Sequence, residues 1–326
     1  MISTAEEMNP TRRNTMEDVH VHHAPSTWDA PDSNATYVGV YDGHGGRGIV
    51  DYLEDNLASN VAKEWCFEND KEGERKKRRI ESEKMDRRAD TAILTSLERA
   101  FLLTDIQSRM RGIQTSGATV ACCVVVPKFS GGKLQSIEIH CANAGDARIV
   151  LSSNTARRCG STTDAGRIRD ATSKAKQLAV RLTHDHKATD PKEIERIHSS
   201  GGMMIRGRVL GVLAVARSLG DHGLKDFVIG RPFLSSTTVE IANNSVEGTN
   251  ENKVGGWDKK SSLTDGEFLV VACDGLWDVM EDQEAVDMVR KFVVEDTREK
   301  EVARYLVDEA LRRGSTDNIT VIVYWL

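Results

Sequence analysis

Short loops between consecutive apolar segments limit what this chain can fold into. The segments at 117–126, 136–143 and 147–151 are rich in Val and Ile, which is typical of β-strands. A parallel crossover needs about a dozen residues or more, and the loops between these segments are shorter, so the strands must be antiparallel. Similar strand-like runs lie at 35–41, 267–273 and 318–325. We therefore predict an α+β fold rather than a doubly wound parallel sheet.

Helices are predicted where apolar residues recur every three or four positions. This periodicity occupies the ranges 49–65, 93–102, 283–294 and 302–311. Polar segments interrupt the pattern, and we interpret them as insertions that form surface loops or exposed helices. They lie near 68–90, 152–178 and 241–262. The sequence has no internal repeat of fixed period, and its length allows one large core or two smaller ones.

Composition excludes several function classes. The formal net charge of −6 lacks the basic excess of nucleic-acid-binding proteins, so we expect no nucleic-acid partner. No apolar run approaches the ~18 residues needed to span a bilayer, and the polar start is unlike a secretory signal, so we expect no membrane association. The six cysteines form no CxxC pair, which favours a reduced, cytoplasmic protein. The basic run 75–79 could direct nuclear import, although its acidic surroundings favour a solvated helix.

The most specific motif is the string Asp42-Gly43-His44-Gly45-Gly46, which follows a predicted strand and precedes a predicted helix. A carboxylate at a strand end can bind a metal, and the following glycine lets its carbonyl oxygen approach the same ion. The alternative is a glycine-rich helix start with Asp42 as the cap. Asp274-Gly275 repeats the arrangement of strand, Asp and Gly further along the chain.

Other acidic residues also flank apolar strands. They are Asp146, Asp317 and the pair Glu17-Asp18. Each could be an ordinary turn residue, but several carboxylates converging at strand ends would repel one another unless a cation neutralised them. An all-oxygen ligand set suits Mg²⁺ or Mn²⁺ better than Zn²⁺. We therefore expect two such cations bridged by one carboxylate, a pair that activates water for attack at phosphorus.

Two further residues have side chains suited to phosphate ester hydrolysis. Arg13 carries a planar guanidinium that can bind phosphate, and His44 could protonate a leaving alkoxide. Without a metal site, they would be a surface arginine and a helix cap. Competing phosphatase chemistries lack their motifs, since the sequence contains no C-x₅-R loop, no GxxxxGK[ST] string and no GxSxG elbow.

Taken together, these motifs resemble the PPM/PP2C family of metal-dependent protein serine/threonine phosphatases. The resemblance runs from about residue 9 to the end, outside the polar insertions. The matching segments are Arg13 to Asp18, Asp42 to Gly46, Ser116 to Thr119, Gly145 to Arg148, Asp185 to Lys187, Leu213 to Asp221, Ala272 to Asp278 and Asp317-Asn318. Ala188 replaces the usual proline after Lys187.

The resemblance implies a single catalytic domain over residues 1–326. It also implies two stacked antiparallel sheets flanked by pairs of helices, with the metals at one end. It implies that Asp42 bridges both ions, and that Gly43, Asp274, Asp317 and Glu17 complete their ligands. Asp146 would help to hold a weaker third ion. Asp18 and Asn318 would contact these ligands without binding the metals themselves.

The same resemblance assigns Arg13 to the substrate phosphate and His44 to the general acid. It also implies that residues 185–211 form a flap beside the active site, where substrate choice varies. We expect phosphoprotein substrates and a monomer. An inactive family member serving as a binding module, and a hydrolase of small phosphoesters, are the alternatives.

Overall fold

The computed structural model describes residues 1–77, 86–153, 178–241, 266–295 and 299–326. The strands are β1 (Ile2–Glu7), β2 (Asp18–His23), β3 (Thr36–His44), β4 (Gly117–Ser130), β5 (Lys133–Ala144), β6 (Arg148–Ser153), β7 (Leu178–Arg181), β8 (Met204–Ile205), β9 (Arg208–Val209), β10 (Leu219–Gly220), β11 (Phe233–Glu240), β12 (Phe268–Ala272) and β13 (Ile319–Trp325). The α-helices are α1 (Gly48–Lys77), α2 (Asp86–Met110), α3 (Pro191–Ser199), α4 (Asp274–Trp277), α5 (Asp282–Glu295) and α6 (Val302–Arg312). Each strand-like run and helical stripe found in the sequence therefore lies in an element of the predicted type.

Two antiparallel sheets form the centre of the protein. One has the strand order β11-β5-β4-β3-β2, with β10 paired to β4 at one end. The other has the order β1-β13-β12-β6-β7. The antiparallel pairing of β4 with β5 agrees with the constraint set by the short loop between them.

Apolar packing divides the protein into layers. Val38, Ile149 and Val271 belong to a cluster between the two sheets. Leu53, Leu97 and other residues of α1 and α2 pack on the outer face of the β3-β4 sheet. Residues of α5 and α6 pack on the outer face of the β12-β13 sheet. The predicted sandwich of two sheets between helix pairs is confirmed.

The structure describes the three predicted insertions to different extents. At 68–90, the ends are helical, since α1 continues to Lys77 and α2 begins at Asp86. Most of the segments at 152–178 and 241–262 lies outside the described residues. Within the described part of the chain, no helix combines the length and apolarity needed to cross a membrane.

Strand β1 was not predicted from the sequence. Its residues Ile2–Glu7 contain two glutamates and little hydrophobic alternation, yet the strand pairs in register with β13. This pairing is decided by the exposed edge of β13 rather than by local preference. It brings the N-terminal segment beside Asp317 and Asn318, which precede β13.

Candidate active site

Asp42 and Gly43 are among the last three residues of β3, where the strand lies between β2 and β4. Asp42 pairs with Asp18 on one side and with Thr119 on the other. The Gly43 N–H donates to the Glu17 carbonyl oxygen at 3.2 Å, and an added Cβ at Gly43 would lie 2.5 Å from that oxygen. Only glycine therefore allows β3 to approach the 13–18 segment so closely.

Asp274 begins α4, and Cys273 before it links the helix to the end of β12. The glycine that follows is required, because a Cβ at Gly275 would overlap the Asn318 carbonyl oxygen. Asp317 Oδ1 accepts a hydrogen bond from the Asn318 N–H at 2.8 Å. The close packing of Gly275 on Asn318 thus brings Asp274 and Asp317 to the same end of the β12-β13 pair.

Asn318 fixes the segment that carries Glu17. Its side-chain amide donates to the carbonyl oxygens of Met8 at 2.8 Å and Thr15 at 3.0 Å, and its Oδ1 accepts from the Glu17 N–H at 2.8 Å. Asn318 is 5% exposed. It therefore orients the backbone of Glu17 from behind, while the Glu17 side chain remains partly exposed.

Asp146 enters the site from the turn between β5 and β6. Gly145 before it has a φ of +104°, a conformation that favours glycine. Asp146 is 5% exposed, and Lys187 Nζ lies 3.9 Å from its carboxylate. Lys187 also donates to Asp278 at 2.8 Å, so a single cation faces these acids from the 185–211 segment.

These carboxylates lie close enough together to change one another's pKa. Burial, and then the negative charges of Asp274, Asp18, Asp146 and Asp317, raise the pKa of Asp42 well above its ordinary value. Burial, and then Asp146 and Asp317, do the same to the pKa of Asp274. Burial raises the pKa of Asp146 to about 6, although Lys187 opposes the change. Acids from five separated segments therefore share one electrostatic environment.

Asp18 is the most deeply buried acid of this group. Burial raises its pKa to about 6, and the nearby Thr320 hydroxyl and Cys273 thiol oppose the change. Asp18 Oδ2 has no hydrogen-bond partner. A buried carboxylate oxygen without a partner costs free energy, which a cation beside it would offset.

Arg13 lies at the exposed side of the group. Its guanidinium contacts the Asp317 carboxylate, and its Nε donates to the Thr316 carbonyl oxygen at 3.3 Å. The Arg13 side chain is 48% exposed and that of Asp317 is 32% exposed. The guanidinium therefore reaches both the acidic site and solvent.

His44 Nε2 contacts the Asp221 carboxylate, at 2.8 Å from Oδ2 and 3.0 Å from Oδ1. The Ser218 hydroxyl also donates to Asp221, at 2.5 Å. Asp221 is 7% exposed and has a left-handed backbone with a φ of +48°. A non-glycine residue in this conformation is uncommon and raises the free energy of the backbone. The turn after β10 therefore holds Asp221 against His44 in a strained conformation.

This donor set fits hard divalent cations such as Mg²⁺ or Mn²⁺. The acids offer oxygen ligands, they raise one another's pKa, and Asp18 has an unpartnered oxygen. Asp42, Gly43, Asp274 and Asp317 supply oxygen atoms from three strand ends, with Glu17 beside them.

Comparison with known proteins identifies the family. The family model described as "Protein phosphatase 2C" matches residues 3–319. The chain belongs to the protein phosphatase 2C family. It is 33% identical over 319 residues to "Protein phosphatase 2C homolog 1" of Schizosaccharomyces pombe, covering 98% of this chain and 71% of that protein. The Saccharomyces cerevisiae protein of the same name is 32% identical over 334 residues, covering 100% of this chain and 93% of that protein.

Solved structures agree on the fold. The crystal structure of a serine-threonine phosphatase 2C from Toxoplasma gondii aligns with a TM-score of 0.67 at 17% identity, covering 100% of this chain and 94% of that chain. A second phosphatase from T. gondii aligns with a TM-score of 0.65 at 19% identity, covering 99% of this chain and 91% of that chain. These structures show that the chain has the protein phosphatase 2C fold. The family match and the named relatives show the activity, which is that of a metal-dependent protein serine/threonine phosphatase.

Two residues beside the site of this phosphatase were not singled out in the sequence. Asp221 closes the segment 213–221 that carries the family resemblance, and its position after Gly220 repeats Gly145-Asp146. Cys273 ends an apolar strand and reads as a core residue. Contacts with His44 and with Asp18, which only the tertiary structure supplies, place both residues at the site.

Proposed function

We propose that this phosphatase hydrolyses phosphoserine and phosphothreonine in proteins at the site formed by Asp42, Gly43, Asp274, Asp317 and Glu17. These residues would hold two divalent cations, and Asp146 would help to hold a third. When bound, the cations supply an activated water and neutralise phosphate charge. The observation that carries the proposal is the mutual raising of the pKa values of Asp42 and its buried neighbours, which a cation would relieve.

Arg13 would bind the substrate phosphate. Its guanidinium already contacts a carboxylate, Asp317, and two oxygens of a phosphate can accept the same pair of N–H hydrogen bonds. A cation that neutralised Asp317 would weaken this ion pair. Arg13 would then be available to the substrate at the exposed edge of the site.

His44 would protonate the serine or threonine oxygen as it leaves. The Asp221 carboxylate, which accepts a hydrogen bond from the Ser218 hydroxyl, would orient the imidazole. Asp221 is a positioning residue in this scheme, because it contacts His44 rather than the substrate.

A protein substrate is favoured over a small phosphoester by the flap. Residues 185–211 carry α3 and the β8-β9 hairpin, and Lys187 at their start faces Asp146. Met203 and Ile205 are 57% and 44% exposed on this segment, beside exposed Arg206 and Arg208. Exposed apolar and basic side chains on a segment that begins beside Asp146 suit contact with a protein surface.

The decisive experiment compares metal-stripped protein with and without added Mn²⁺ or Mg²⁺ on a phosphothreonine peptide. We expect turnover only when metal is added. With metal, Asp274→Asn should turn over the peptide more than about 100-fold more slowly than the wild-type protein, since losing a direct metal ligand costs more activity than losing a residue that only contacts a ligand. Asp308→Asn is the matched control, because Asp308 is an exposed residue paired with Arg304 on α6. Turnover without metal, or in folded Asp274→Asn, would exclude the proposed site.

The role of His44 is tested by changing the leaving group. Asp221→Asn and His44→Asn should each lower kcat for the phosphothreonine peptide by about 10–100-fold, with little change in KM. p-Nitrophenyl phosphate has a leaving group that needs no protonation, so its turnover should fall far less. Equal losses on both substrates would mean that the pair supports the structure of the site rather than proton transfer.

A further inference from the structure

The turn that holds Asp221 against His44 has two consecutive residues in the left-handed backbone conformation. The φ angle is +79° at Gly220 and +48° at Asp221. Gly220 pairs with Gly117 of β4, and the Asp221 N–H donates to the Ser116 carbonyl oxygen at 3.0 Å. A strained residue keeps such a conformation only where its surroundings over-determine it. The position of Asp221 therefore depends on what else holds this turn.

Asp105, on α2, and Lys225, just after the turn, both bind its backbone. The Gly220 N–H donates to Asp105 Oδ1 at 2.8 Å, and Lys225 Nζ lies 2.8 Å from Asp105 Oδ2. Lys225 Nζ also donates to the Ser218 carbonyl oxygen at 2.8 Å. The Ser218 hydroxyl in turn donates to the Asp221 carboxylate. The ion pair between Asp105 and Lys225 therefore fixes two of the three residues that precede Asp221.

This ion pair is largely removed from water. The side chains of Lys225 and Asp105 are 18% and 12% exposed. Burial lowers the pKa of Lys225, and the carboxylates of Asp105 and Asp221 oppose that change. An added Cβ at Gly230 would lie 2.7 Å from Asp105 Oδ2, so the carboxylate has little room to move. Breaking the pair would leave one buried charge without its partner, so α2 and the turn are held in a fixed relation.

We propose that Asp105 and Lys225 are positioning residues of the phosphatase reaction, which hold the Asp221 carboxylate where it orients His44. The inference rests on the proposed function of His44 as the general acid. A pair that only stabilised the packing of α2 would affect the turnover of every substrate alike. A pair that positions the general acid affects turnover most when the leaving group needs a proton.

The test is the turnover of two substrates by Lys225→Met in the full chain with Mn²⁺. Its kcat for the phosphothreonine peptide should fall about tenfold with little change in KM, while turnover of p-nitrophenyl phosphate falls less than about threefold. Asp105→Asn combined with Lys225→Met leaves no unpaired buried charge, and should show the same selective loss even if Lys225→Met alone fails to fold. The matched control is Lys128→Met, since Lys128 pairs with Glu138 near the end of β4 opposite Gly117, and it should change neither turnover.

Combining Lys225→Met with His44→Asn makes the outcome decisive. A residue that acts through His44 has nothing left to position in that background, so adding Lys225→Met should lower peptide turnover by less than about twofold. A tenfold loss in that background, or no loss in the wild-type background, would overturn the proposal. So would equal losses on the two substrates while His44→Asn alone remains selective.

The general-acid role is tested separately by His44→Asn alone. If that variant loses turnover equally on both substrates, the general-acid role fails. The coupling between the substitutions at His44 and Lys225 still decides whether the ion pair positions His44, so the two failures are distinguishable.

Discussion

The buried carboxylate of Asp18 should make the metal-free protein less stable at neutral pH than in mild acid. Its pKa is raised from the ordinary value of 3.8 to about 6, chiefly because burial disfavours the charged form. At about 1.4 kcal/mol per pKa unit, this shift lowers the free energy of unfolding by about 3 kcal/mol when Asp18 is charged. Below pH 3.8, Asp18 is protonated in both the folded and the unfolded state and has no effect on the free energy of unfolding.

The sign of the effect follows from proton binding. Between pH 3.8 and about 6, the unfolded chain has lost the Asp18 proton while the folded chain retains it, so folding becomes less favourable as the pH rises. Above about pH 6, the penalty is constant. Asp18→Asn removes it, and should therefore raise the free energy of unfolding by about 3 kcal/mol at pH 7.5 but only about 1.5 kcal/mol at pH 5.

The assay is urea denaturation of metal-stripped protein at these two pH values, with Asp308→Asn as the control for loss of an exposed aspartate. Asp308→Asn should change stability little at either pH. A gain in Asp18→Asn that is equal at pH 5 and pH 7.5, or no gain at all, would refute the reasoning. Saturating Mn²⁺ should stabilise the wild-type protein, because the cation offsets the buried negative charge of the site.

Two glycine substitutions test the close contacts that build the site. Gly275→Ala places a methyl group against the Asn318 carbonyl oxygen and should cost about 1–3 kcal/mol in urea denaturation while weakening Mn²⁺ binding in calorimetry; wild-type values for both would contradict the contact. Gly117→Ala places a methyl group against the Asp221 carboxylate and His44 Nε2, so turnover of the phosphothreonine peptide should fall more than that of p-nitrophenyl phosphate. The matched control for both is Gly223→Ala, since nothing lies within 4 Å of an added Cβ there, and it should leave stability and turnover unchanged.

Much of the fold could be predicted because local patterns and tertiary contacts agree. The runs at 117–126 and 136–143 are apolar enough to be central strands, and the short loop between them permits only antiparallel pairing. The stripe 49–65 is helical by its period and packs on the sheet by its apolar face. β1 was not predicted, because pairing with β13 rather than its own sequence pattern stabilises it as a strand.

Which acids follow strands, and which glycines accompany them, could be predicted from the sequence alone, as at Asp42-Gly43 and Asp274-Gly275, because these are local properties of the chain. Which of these side chains come close enough to change one another's pKa depends on the folded arrangement of distant segments. His44 contacts Asp221 across 177 positions of sequence, and Cys273 lies close to Asp18 because the start of β2 and the end of β12, in different sheets, meet at the site. Burial and the summed charge of distant residues, which set the pKa values of these acids, exist only once the chain has folded.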